Sequence, residues 1–399
     1  MLSVIYGLVT PPWEGYDKWW HFEYICFLHQ NLRLPTTAEQ QARPNSEIKQ
    51  LPLYYVVGAA LTGWIDLRDC SVPARNWNFG TAGAGINFVL HDPARESFPY
   101  QDPKLIALHI TRLFSTLVGA FGIIFVNHLA RTILPDRPRL VWLATALTAF
   151  QPQYIYLASI LNNDILAIVA VTGLLAASVR LIVEGLNTKT MVWWGLALIL
   201  AMSSKLNAVS AIPAAGLAVV FGGLDWLEQR GIARRTIWFG VGGVVVVVGI
   251  GLLVYFQISL GPAGQPEPWL PSVGYLLGRL AHPSSLRWDR IAPAIRHGFY
   301  TYWGAVGFGS IPLPQWLYWV IGVLCGLAAI GMVPVWQSAN RSLRRVLAAF
   351  ALLGFVTIAT ATHYYAGQRL HLHRCGALFA SLHWRGVYRL SARLEGALA

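Results

Sequence analysis

The sequence predicts an all-α membrane protein. Its expected architecture is a polytopic helical bundle of about eight full spans, an N-terminal partial span and juxtamembrane helices on the outer face. Three observations lead there. The 399 residues are 55% hydrophobic and only 12% charged, about half the roughly 25% charge of soluble domains, and mean hydropathy is +0.48. Apolar runs of spanning length recur along the chain. The basic residues lie between those runs instead of gathering on one face, so the net charge of +12 reads as membrane topology and not as a nucleic-acid footprint.

Met1 to Thr10 is apolar but far short of the ~20 residues that a spanning helix needs. It also lacks the basic start and small-residue cleavage site of a signal peptide. It therefore reads as the C-terminal end of a first span whose beginning lies upstream. Pro11-Pro12 stops that helix, since proline offers no backbone donor and disfavours a helical residue before it. Leu51 to Ile65 is too short to cross a ~30 Å core at about 1.5 Å per residue. It reads as an interfacial helix with Tyr54, Tyr55 and Trp64 at headgroup depth. Asp66 to Lys104, rich in Gly, Pro, Asn and Asp, reads as irregular structure with short helices. Its Gly80, Gly83 and Gly85 follow no strand and make no nucleotide loop.

Full spans are expected over Leu105–Ala130, Leu140–Ile160, Ile165–Val183, Met191–Ser203, Leu206–Leu224, Ile237–Ile258, Trp316–Trp336 and Val346–Tyr364. Ser203-Ser204-Lys205 interrupts the fourth and fifth, which read as a hairpin. If Leu51–Ile65 does not cross, one side collects Arg131, Arg137 and Arg139, then Arg180 and Lys189, then Arg230, Arg234 and Arg235, and finally Arg341, Arg344 and Arg345. That is the inner side. The outer side then holds residues 11–104, the 161–164 turn, the tip at Lys205 and the long loop 259–315. This last loop carries an amphipathic stretch at Val273–Leu280 and the aromatic run Phe299–Gly304. Residues 1–365 form the transmembrane domain, and 366–399 an atypical basic tail. Of the four cysteines, Cys26 and Cys70 can pair if both lie outside, which spacing alone does not decide.

Chemistry concentrates after Pro11-Pro12. Glu14, Asp17 and Glu23 lie there with His21 and several aromatics. A carboxylate just outside a span can serve as a general base or hold a metal, although polar loops contain acids in any case. His21, a helical turn after Asp17, is placed to hydrogen-bond it. Asp164 is either a helix N-cap or a second acid on the same face. Lys205 either snorkels or meets a lipid phosphate. His109 and Arg112, one turn apart, face phosphate, or Arg112 pairs with Asp102. His371, His373 and His383 in the tail lack an accompanying carboxylate and make a poor metal site. A divalent metal is the one cofactor the acids would admit, and no ligand spacing supports it.

Several motifs in order resemble the GT-C superfamily of polytopic glycosyltransferases, the group of protein O-mannosyltransferases and aminoarabinose transferases. They are Pro11-Pro12-Trp13-Glu14-Gly15-Tyr16-Asp17-Lys18 with His21-Phe22, Gln50-Leu51-Pro52-Leu53-Tyr54-Tyr55, and His109 with Arg112-Leu113-Phe114-Ser115. Pro152 through Asn162-Asn163-Asp164, Ser204-Lys205-Leu206 and Tyr302-Trp303-Gly304 complete the set. The resemblance implies a polyprenyl-phosphate-linked sugar donor in the bacterial cytoplasmic membrane. Transfer on the outer face would go to an acceptor that is a protein, lipid or glycan. Asp17, with Glu14 as second choice, would be the base. His21, Gln50, Tyr54, Arg112, Asp164, Lys205 and Arg369 would contact substrate, with Lys205, Arg112 or Arg369 on the departing phosphate.

Two departures stand out. Lys18 occupies the place of a second acid, which weakens a metal role. After Ala366-Gly367-Gln368-Arg369-Leu370-His371 the pattern turns basic, so truncation or a frameshift at the C-terminus is expected alongside the short N-terminus. Two other readings compete. A non-catalytic homologue is favoured by Lys18 and by the odd ends. A secondary transporter is disfavoured because the acids lie in outer loops and no repeated halves are visible.

Overall fold

The structure, a computed structural model, describes residues 1–15, 17–42, 47–76, 79, 87–231, 288–306 and 311–367. It is mostly helical. The N-terminal part contains α1 (Leu2–Val9), α2 (Lys18–Asn31), α3 (Thr37–Ala42), a 3-10 turn at Glu47–Lys49, α4 (Leu53–Leu61) and α5 (Pro93–Glu96). The body contains α6 (Pro103–Ile133), α7 (Pro138–Ala149), α8 (Pro152–Leu157), α9 (Asp164–Glu184), α10 (Thr188–Ser204), a 3-10 turn at Leu206–Ala211 and α11 (Ile212–Gln229). After it come α12 (Trp288–Gly304), α13 (Gln315–Ser338) and α14 (Arg341–Gly367). A two-stranded antiparallel ribbon, Ala305–Val306 with Ile311–Pro312, turns the chain between α12 and α13.

Among the described residues, four helical stretches are long and apolar enough to cross a membrane: Pro103–Ile133, Asp164–Glu184, Asn207–Gln229 and Gln315–Ser338. The expected run Leu140–Ile160 is not one helix. Pro152 has no N–H to continue α7, and Gln151 restarts the chain as the N-cap of α8, accepting from the Tyr154 amide. Its side-chain amide donates to the Tyr302 carbonyl, and the Gln153 side chain accepts from the Ala305 N–H at 3.1 Å. Two glutamines thus tie α8 to the end of α12 and to the first strand of the ribbon. The expected span Ile237–Ile258, the stretch Val273–Leu280 and the tail from 368 onward, with Arg369, lie outside the described residues.

Leu51–Ile65 forms only the nine-residue α4, too short to cross. Its aromatics differ in exposure. Tyr54 and Tyr55 are fully buried and Trp64 is exposed. The reason is packing: α4 lies on α2 and α6, where Tyr55 stacks on Tyr24 at 4.2 Å between centroids and Tyr54 meets Phe114. These residues join Phe22, Ile25, Leu108, Leu161 and Ile165 in one apolar cluster. That cluster fixes α2 and α4 to the ends of α6 and α9, and so fixes the loops between them.

Small residues allow the close approaches that bring this about. A Cβ on Gly122 of α6 would lie 2.1 Å from the Tyr154 hydroxyl, which donates to the Gly119 carbonyl at 2.6 Å. At the other end of the bundle, Arg341 pairs with Glu228 at 2.9 Å, and Arg345 pairs with Asp225. These contacts fasten α14 to α11. By contrast, α13 presents Trp319, Val323, Leu327 and Ile330 outward, as a helix facing lipid does.

Candidate active site

Asp17 enters the structure as the N-cap of α2 with φ 54°, in the left-handed region that aspartate tolerates better than most residues. Its side chain makes no capping hydrogen bond, so the carboxylate is left for other work. It is half-buried. Burial raises its pKa, Lys205 lowers it and Asp164 raises it again. Asp17 therefore shares its electrostatic surroundings with two residues that sequence reading placed on the same face.

Those two residues are in contact. The Lys205 Nζ donates to Asp164 Oδ1 at 2.6 Å and to Asn163 Oδ1 at 3.1 Å. The expected break is present: α10 ends at Ser204, and Lys205 is extended, with φ −160°, before the 3-10 turn. Burial pushes the lysine pKa down, but Asp164 outweighs it, aided by Glu47 and Asp17, and the net shift is upward. Lys205 is held as a cation. Asp164 itself is placed by a chain of bonds. Its N–H donates to Asn162 Oδ1 at 2.7 Å, the Asn162 N–H donates to the Tyr54 hydroxyl at 3.1 Å, and that hydroxyl meets Ser115 Oγ at 2.7 Å.

Glu47, which sequence reading did not single out, is the fourth member. Burial raises its pKa, with Lys205 lowering it and Asp17 and Asp164 raising it. The Gln50 side chain hydrogen-bonds its carboxylate, while Oε2 is buried without a partner. The available signal was its position three residues before Gln50, in the connection that leads into α4. His21 supports the floor. Its Nδ1 lies 2.8 Å from the Tyr55 hydroxyl, and burial lowers its pKa to about 3, so it is a neutral imidazole.

Other expected site residues are used elsewhere. Arg112 does not face phosphate and does not pair with Asp102. Its guanidinium donates to the carbonyls of Gly7 at 2.6 Å, Thr10 at 3.0 Å and Pro11 at 2.9 Å. The open carbonyls at the end of α1 and in the following turn attract the cation. Tyr54 is fully buried and cannot touch a substrate; it positions the Asn162–Asp164 turn. Glu14 is buried too. Its Oε1 accepts from the Phe88 N–H at 2.6 Å, the Val89 N–H at 3.1 Å and His91 Nε2 at 3.2 Å. A carboxylate oxygen that already accepts from three donors is a latch between the Asp17 loop and segment 88–91.

Lys18, which stands where a second acid was expected, points inward. It is fully buried, its Nζ has no partner, and its pKa is lowered well below the usual value by burial and by Arg112, against Glu14. Gly15, at φ +126°, lies over it: a Cβ there would come within 2.5 Å of Lys18 Cε. Among the described residues, no group of three His, Cys, Asp or Glu is set to hold a metal ion. Cys26 and Cys70 do pair, in a disulfide that ties α2 to the connection between α4 and α5.

Residues 102–371 match the family described as predicted membrane protein (DUF2142). The chain belongs to that family. The match takes in Asp164 and Lys205 and begins after Asp17 and Glu47. No curated protein and no solved structure matches the chain.

Proposed function

We propose that this protein is a membrane glycosyltransferase of the GT-C type, which moves a sugar from a polyprenyl-phosphate donor to an acceptor on the outer face. The observation that carries the reading is the Lys205 cation, 2.6 Å from Asp164, in the same electrostatic neighbourhood as the uncapped Asp17. A lipid-linked donor presents its phosphate at interface depth, where the tip of the α10 break lies. Asp17 takes the proton of the acceptor hydroxyl or amine, and the acceptor atom bonds to the anomeric carbon. The bond from that carbon to phosphate oxygen breaks, and polyprenyl phosphate departs with inversion. Lys205 offsets the charge that grows on the leaving phosphate, and Asp17, with its pKa raised by burial, is the stronger base for it.

The Cys26–Cys70 disulfide supports an outer placement, since such bonds form and persist in oxidising compartments. The loop arginines support the same orientation. The span count of about eight, counting segments outside the described residues, belongs to this reading as well. A second reading, a non-catalytic homologue, draws on one observation: the Lys205 amine is already engaged by Asp164 and Asn163.

The test uses membranes containing the full chain and a labelled polyprenyl-phosphate sugar. Transfer that Asp17→Asn abolishes is the expected result. Transfer unchanged in Asp17→Asn removes Asp17 as the base, and no transfer by the parent chain favours the second reading.

A further inference from the structure

His91 stands between two carboxylates. Its Nε2 lies 3.2 Å from Glu14 Oε1 and its Nδ1 lies 2.6 Å from Glu96 Oε2. A neutral imidazole has one N–H, so one of these contacts would set a nitrogen lone pair against a carboxylate. With both carboxylates ionised, the two contacts are favourable together only for the doubly protonated ring. The same Glu14 oxygen accepts the Phe88 and Val89 amides, and Glu14 lies three residues before Asp17. Segment 87–91 also pairs with the 74–76 stretch through Asn76 N–H to the Phe88 carbonyl and Leu90 N–H to the Ala74 carbonyl, each 2.9 Å. It meets α2 through Phe88 and Trp19, whose ring centroids are 4.6 Å apart.

We propose that His91 is a proton-dependent positioning residue: as a cation bridging Glu14 and Glu96 it clamps the outer cap onto the loop that carries Asp17. It acts through Glu14 and touches no substrate. As a role in catalysis it rests on the glycosyltransferase reading, whereas the clamp itself does not.

The charged groups around it are few. Glu14 comes from the Asp17 loop and Glu96 from α5. Asp92 and Arg95 pair with each other at 3.3 Å on the exposed side. Arg75 lies over the Phe88 ring at 4.8 Å, and Lys18 faces Glu14 from α2. The Glu14 hydrogen bond is the largest influence on His91 and raises its pKa; burial opposes this, and Glu96 adds to it. A folded value above the unfolded one means the clamp is fully present below the unfolded pKa and is lost as pH rises through the folded one.

Hydrogen exchange of the full chain in detergent micelles, corrected for intrinsic pH dependence, tests this between about pH 5.5 and about pH 8.5. Protection of segments 87–91 and 12–18 is expected to fall roughly tenfold or more across the His91 transition. In His91→Gln, which cannot donate from two sides, protection should be low and insensitive to pH. In Glu96→Gln the transition should move to lower pH. Equal protection at both pH values overturns the proposal, as does a His91→Gln chain that keeps the parent's response. If His91→Gln does not fold, an unmoved transition in Glu96→Gln overturns it. No transfer assay enters, so failure of the clamp and failure of the enzymatic reading are told apart.

Discussion

Lys205 Nζ lies 2.6 Å from Asp164 Oδ1, which joins the break after α10 to the first residue of α9. The lysine side chain is 14% exposed and the aspartate 40%, so solvent screens the pair in part. Replacing Lys205 by Met should therefore cost only about 1 kcal/mol of stability, nearer a surface pair than a buried one. Transfer should fall roughly tenfold to a hundredfold, the value of one charge-assisted contact to phosphate. Thermal denaturation and single-turnover transfer measured on the same preparation check this. A stability loss that accounts for the whole activity loss would mark the pair as structural.

Burial raises the Asp17 pKa above its unfolded value, and the sign follows. An acid with a raised folded pKa disfavours its own ionised form in the fold. Stability is lost as pH rises from the unfolded to the folded value, and the cost is full above it. Asp17→Asn should thus melt at a higher temperature than the parent near neutral pH, with the difference vanishing in acid. Transfer by the parent should rise with pH through the same range, as the base deprotonates. Equal melting temperatures at all pH values would show that Asp17 carries no such burden.

Arg112 makes three bonds to the carbonyls of Gly7, Thr10 and Pro11, a role that needs the guanidinium fork. Arg112→Lys should lower stability by about 2–3 kcal/mol, because one ammonium cannot reproduce that geometry and leaves buried carbonyls open. The KM for donor should change little beyond what partial unfolding explains. A raised KM with an unchanged melting curve would return Arg112 to the phosphate.

Much of this architecture is legible in the residues, for physical reasons. The α10 break was visible because Ser203-Ser204-Lys205 is polar within an apolar run, and α4 because Leu51–Ile65 is too short to span. The convergence of Asp164 and Lys205 on one face followed from counting crossings. Arg112 was misread because no local pattern reveals carbonyls contributed by residues about a hundred positions earlier. Only the resemblance ranked Asp17 above Glu14; the physical difference appears when Phe88, Val89 and His91 fold over Glu14. Glu47 was missed since nothing about Ser46-Glu47-Ile48 differs from an ordinary loop until tertiary packing buries it beside Lys205. The break at Gln151-Pro152 carried a proline signal, but the apolar residues on both sides masked it.

The disulfide between Cys26 and Cys70 gives orientation a chemical test. It closes a sequence separation of 44, so the chain-entropy account puts its contribution at no more than about 4 kcal/mol. Cys26→Ser should lower the melting temperature. Such a bond forms on the oxidising side of the membrane. In intact cells an impermeant reductant followed by an impermeant maleimide should then label Cys26 and Cys70, while without reduction neither reacts. Cys325, in the middle of α13, would be shielded by lipid under both conditions. Labelling of Cys26 and Cys70 only after the membrane is breached would invert the topology. It would place Asp17 and Lys205 on the inner side and remove the outer-face donor with them.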